Sequence, residues 1–143
     1  MQLRDAKPFS HGGAPGASGL PASVVEACAR AAHEAERAFC EAIDDEVRRP
    51  WSELTERQRE SARAAADVML AGVTDEMQHV EWCDALAKRG WSYGPVEDSD
   101  QKRHPHLVPY AELSEIRRKK SDLCWAVVQA TALALKSAIK VVV

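Results

Sequence analysis

The sequence predicts a mainly α-helical domain: a four-helix, bundle-like fold with a short β-hairpin or ordered loop before the last helix. Three observations predict it. Apolar residues recur at three- and four-residue steps through most of the chain after residue 22. Candidate helix starts at Ser23, Thr55 and Thr74 carry capping residues, and Gly72 and Gly90 stand where helices should stop. Between residues 91 and 113 the helical step disappears, and Gly, Pro, Asp and Ser cluster among aromatic residues.

Taken in order, residues 1–22 hold four glycines and three prolines with little apolar content. They are expected to be a flexible N-terminal segment, and residues 23–140 the domain. The first helix is expected from Ser23 to about Arg48. Ser23 and Glu26 read as a capping box. Val25, Cys28, Ala32, Ala35, Phe39, Ile43 and Val47 make one apolar stripe, and Pro50 and Trp51 end the pattern. A second helix is expected from Thr55, with Gln58 completing another capping box, to about Ala71. Its buried face is read as Ser61, Ala65, Val68 and Met69, small enough for close helix approach. The third helix starts after Thr74, with Asp75 and Glu76 at the positive end of its dipole, and stops at Lys88, Arg89 and Gly90. Residues 91–113 are too long for a plain connector, and such loops often carry function. The fourth helix is expected from Ser114 to about Lys140. Ile116, Leu123, Val127, Ala130 and Ala134 keep the step, and from Cys124 onward Val128, Leu133, Leu135 and Ile139 make a second apolar face. That pattern fits complete burial or an interface.

Composition narrows the function. A chain of 143 residues with 45% hydrophobic and 29% charged residues can bury one core. The net charge of −3 argues against nucleic acid as partner. Lys102, Arg103, Arg117, Arg118, Lys119 and Lys120 nevertheless give one basic end to an otherwise acidic second half, which suits a small anion. No secretory h-region and no membrane-length apolar run is visible. Cys28, Cys40, Cys83 and Cys124 form no C-x-x-C pair, so they read as reduced thiols of a cytoplasmic protein, with no metal and no cofactor expected.

Hydrolase and nucleotide-loop motifs are missing: no second histidine follows His33-Glu34 at metalloprotease spacing, and there is no G-x-S-x-G, P-loop or dinucleotide-binding glycine triplet. No catalytic constellation is recognised. His79 and Trp82 are the strongest site candidates, because i,i+3 residues share a helix face. A core tryptophan with a hydrogen-bonded histidine fits the same spacing. The run Arg117–Lys120 reads either as solvated charge or, with Lys102, Arg103 and His104, as an anion site at a helix N-terminus.

Longer motifs carry a family resemblance. Ala31-Ala32-His33-Glu34-Ala35-Glu36-Arg37, Pro50-Trp51-Ser52-Glu53-Leu54 and Gln58-Arg59-Glu60-Ser61 resemble the first half of the ryanodine-receptor repeat, or RyR domain. His79-Val80-Glu81-Trp82 resembles its His-x-x-Trp, and Gly90-Trp91-Ser92-Tyr93-Gly94-Pro95 its Gly-Trp-x-Tyr-Gly turn. Lys102 to Tyr110, with Leu113, resembles its basic His-Pro-x-Leu-Val-Pro-Tyr segment, and Lys120-Ser121-Asp122 its basic-to-acidic step. The resemblance spans about residues 24–135. Glu36 departs from it, since the family often has asparagine there.

The resemblance implies a helix bundle with a small hairpin. It also implies a single stand-alone copy of the bacterial or phage type, not the tandem copies of calcium-release channels. In those channels the tryptophan of His-x-x-Trp is associated with stacking of adenine-nucleotide-like ligands between two repeats. The implied function is therefore a small-molecule binding module, for a nucleotide-like ligand, acting as sensor or sequestering protein. Trp82 would stack the ring with His79 beside it, Trp91 and Tyr93 would shape the wall, and Lys102, Arg103, Arg118 and Lys120 would meet phosphate. With one repeat present, a two-repeat cleft requires a homodimer. The alternative is a protein-interaction or assembly module with no small ligand.

Overall fold

A computed structural model of the chain describes residues 16–142, with side chains described as far as residue 137. The helices are α1 (Ala22–Ala42), α2 (Glu56–Leu70), α3 (Asp75–Lys88) and α4 (Glu115–Val142). Two short strands, β1 (Ser92–Tyr93) and β2 (Arg103–His104), lie before α4. The fold is mainly helical, as the sequence predicts. The segment before α4 is an ordered loop whose strands pair in parallel, with Ser92 opposite Arg103 and Tyr93 opposite His104. A single antiparallel rung, Asp98 with Arg103, closes a turn inside it. Among the described residues no helix is long and apolar enough to cross a membrane. The chain divides into two compact units: Thr74–Arg118, and residues 16–73 with 119–142.

In the larger unit α1, α2 and α4 share one core. Val24, Val25, Cys28, Ala29 and Ala32 of α1 meet Trp51, Ala66, Val128 and Ala132, all buried, with Leu54, Ala62, Met69, Cys124 and Val127 packed around them. Small residues on α1 and α2 permit this close approach. The Cys28 thiol sits 3.5 Å from the Val128 carbonyl.

Several expectations are corrected here. The Ser23–Glu26 capping box does not form: α1 begins one residue earlier, with Pro21 as N-cap and its carbonyl taking the Val24 and Val25 amides. Glu26 pairs with Arg63 of α2 instead, at 2.9 Å. Helix α1 ends at Ala42 rather than near Arg48. Asp44 adopts φ 54°, and the Asp44 and Asp45 amides return to the Glu41 and Cys40 carbonyls. That is a Schellman stop with aspartate in the place glycine usually takes. Ile43 and Val47 therefore leave the predicted stripe, and Val47 is 94% exposed. On α2, Ser61 is exposed and the buried positions are Ala66 and Asp67. On α4 the buried seam runs through Val128 and Ala132, while Ala130 and Ala134 face out and Leu133 is 67% exposed. Ile139 lies outside the described side chains.

The first 15 residues of the expected flexible segment lie outside the described residues. From Gly16 onward the chain is tied down. The Ser18 amide and hydroxyl both donate to the buried Asp67 carboxylate, and Leu20 N–H donates to Ser18 Oγ. The segment between α1 and α2 is fastened by the motif His33-Glu34. His33 Nε2 donates to the Arg49 carbonyl at 2.7 Å, and Glu34 accepts the Trp51 amide at 2.8 Å. Arg48 pairs with Glu36 at 3.2 Å. These residues of the resemblance shape a corner that seats Trp51 in the core.

Candidate functional site

The site belongs to the smaller unit, residues Thr74–Arg118. Thr74 caps α3 by accepting the Met77 amide, and the acids Asp75 and Glu76 occupy the first turn. Helical spacing then puts His79, Trp82 and Leu86 on one face, and all three are buried. The flanking positions Val80, Cys83, Asp84 and Ala87 line a groove of about 390 Å³. Gly90, at φ 84°, stops the helix in the left-handed region that favours glycine. The Gly90 and Trp91 amides return to the Ala87 and Leu86 carbonyls.

The chain then builds the opposite wall. Trp91, Ser92 and Tyr93 line the groove, followed after the loop by Leu107, Val108, Pro109 and Tyr110. Close strand approach sets this geometry: a Cβ on Gly94 would stand 2.7 Å from the Arg103 Cβ. Asp98 shapes the turn by accepting the Asp100 and Gln101 amides on its carboxylate. Ser114 caps α4, its Oγ accepting the Arg117 amide.

Three histidines hold the wall in place. His79 Nε2–H donates to the Val108 carbonyl at 2.7 Å, which fixes its tautomer; its Nδ1 is buried without a hydrogen-bond partner. His104 Nδ1 accepts the His106 amide at 3.0 Å, and His106 Nδ1 faces Arg117 Nη1 at 3.3 Å. A guanidinium can only donate, so both rings act here as neutral acceptors. Burial lowers the His104 pKa below the ordinary imidazole value, and Arg117 lowers it further against the opposing Glu97. For His106, desolvation, Arg117 and the two other histidines act in the same direction. Cys83 Sγ lies 3.4 Å from His79 Nε2. Burial and then the Asp84 charge push its pKa up, so it stays a thiol at neutral pH and is a poor nucleophile.

The structure brings together some of the predicted site residues and separates others. His79, Trp91 and Tyr93 line the groove. Trp82 does not: it is 4% exposed, its ring packed edge-on against His104 at 5.0 Å and tilted against His79 at 5.7 Å. None of the four predicted phosphate contacts lines it either. Lys102 Nζ donates to the Arg89 carbonyl at the end of α3, and Arg103 Nη1 to the Tyr93 carbonyl. Arg118 Nε donates to the Leu113 carbonyl. Lys120 belongs to the larger unit, where it pairs with Asp45 at 2.6 Å and lowers that carboxyl's pKa. The groove also contains residues not singled out from sequence: Cys83, Asp84 and Tyr110. Tyr110 stood inside the His-Pro-x-Leu-Val-Pro-Tyr motif, and Asp84 is five residues past His79, on a neighbouring stripe of the helix. Among the described residues no group of three or more His, Cys, Asp or Glu is arranged to hold a metal ion.

The family model of the RyR domain matches residues 69–140. That range is half of the chain and contains α3, both strands and nearly all of α4.

Proposed function

Because the chain belongs to the RyR domain family, we propose that it is a small-molecule binding module for a flat, nucleotide-like ligand, acting as sensor or sequestering protein. The observation that carries this reading is the groove on α3. Its size is that of small-ligand pockets, and Trp91, Tyr93 and Tyr110 supply aromatic walls. Stacking on such rings contributes about 1–3 kcal/mol per base. The ring of the ligand, rather than a phosphate, is assigned to the groove. The stacking role that sequence suggested for Trp82 passes to Trp91 and Tyr93. Cytoplasmic location is part of the proposal, supported by four free cysteines.

The test is calorimetric titration of the full chain with nucleosides, nucleotides and free bases, repeated on Trp91→Ala. Binding by the parent and a tenfold or greater loss in the variant support the reading. A parent that binds none of them, or a folded variant that binds equally well, overturns it. A second reading, an assembly module without small ligand, is favoured by a different observation: Leu133 on α4 is 67% exposed, with Ala130 and Ala134 also facing out. A homodimer through that face would hide it. Light scattering of the parent and Leu133→Glu decides: a monomer in both cases removes this reading.

A further inference from the structure

We propose that the groove favours a flat ring that carries a positive charge and disfavours an anionic group inside it, so that any phosphate of a nucleotide-like ligand stays outside. This rests on the reading that the groove holds a flat ligand. Among the described lining residues Asp84 is the only charged side chain, and among the described residues its carboxylate has no hydrogen bond or ion pair. Among the described lining residues there is no lysine or arginine. On the loop between the walls Lys102 and Arg103 are occupied on backbone carbonyls, those of Arg89 and Tyr93, while Lys88 and Arg89 are exposed just past Ala87 and do not line the groove.

Two further features have the same sign. On α3 the groove runs from His79 in the second turn to Ala87, one residue before the helix end, so one end of it reaches the negative pole of the macrodipole, where Lys102 Nζ holds the Arg89 carbonyl. The ring faces of Trp91, Tyr93 and Tyr110 attract cations through their quadrupoles. The field reaches the groove floor as well: at the Cys83 thiol the effect of Asp84 exceeds the opposing effect of Arg117. A phosphate would meet a carboxylate and a helix C-terminus there, the reverse of an anion site. A flat ring bearing a fixed positive charge, such as an N-alkylated heteroaromatic, meets aromatic faces and a counter-charge together.

The experiment titrates the full chain with three bicyclic rings of one shape: neutral quinoline, the cation N-methylquinolinium, and the anion quinoline-2-carboxylate. Parent, Asp84→Asn and Trp91→Ala are compared at low and high salt. The cation should bind at least tenfold tighter than quinoline, and the anion more weakly than either. Asp84→Asn should remove most of the cation's advantage over quinoline, and salt should shrink that advantage in the parent. If quinoline and its cation bind the parent equally, or the preference survives in Asp84→Asn, charge selection is wrong while the groove reading stands. If no ring binds the parent, charge selection is overturned, and the groove reading falls with it only if the nucleoside and base titration is also blank.

Discussion

Replacing Trp82 by alanine separates a scaffold residue from a ligand contact. Trp82 is 4% exposed and packs on His79 and His104, which hold the groove wall. Truncating a buried tryptophan costs about 3–5 kcal/mol, from lost transfer free energy and the cavity left behind. That is a large share of the roughly 5–15 kcal/mol available to a domain. With a urea m-value of about 1–3 kcal/mol/M, the unfolding midpoint should fall by roughly 1–5 M. Far-UV circular dichroism is the suitable probe, because three other tryptophans complicate fluorescence. Trp91 is only half-buried, so Trp91→Ala should cost about 1–2 kcal/mol and act on ligand binding instead. A Trp82→Ala protein that keeps the parent midpoint would refute the assignment of Trp82 to the packed interior.

Asp44 holds φ 54° at the end of α1, so Asp44→Gly should raise stability by roughly 0.5–1 kcal/mol, read as a higher urea midpoint; a fall would mean the aspartate side chain is needed there. Asp67→Ala leaves the Ser18 amide and hydroxyl without their acceptor and should cost about 1–3 kcal/mol, with Asp67→Asn losing less; equal midpoints in all three proteins would refute the tie. Acid should destabilise the smaller unit before carboxylates titrate. The folded-state pKa values of His104 and His106 are lowered, so their contribution is complete above the unfolded value near 6.5 and is lost as pH falls through that value toward the folded ones. In His104→Asn the side-chain oxygen can still accept the His106 amide without titrating, so urea midpoints from pH 8 to pH 5 should fall less steeply than in the parent; identical slopes would remove His104 from the explanation.

The starts and stops of α2 and α3 were legible in the sequence, because capping involves partners only three to five residues apart. Thr55 with Gln58, Thr74 with Met77, and the glycine stops at Gly72 and Gly90 all form within such windows. The motif at residues 102–110 was equally legible as a unit, and it supplies a groove wall. Tertiary structure alone decided the remainder. Helical periodicity is the same for a tryptophan that fills a core and one that faces a ligand, so only packing against His104 placed Trp82 inside and left Trp91 on the groove. The end of α1 depended on a left-handed Asp44 and on contacts from Arg48, Arg49 and Trp51 back to the helix, a reversal that composition does not encode. A basic run shows how much charge is present but not where each long side chain lies. Lys120 found Asp45, 75 residues away, and Arg118 found a backbone carbonyl, because flexible cations settle on whichever acceptor the fold brings within reach.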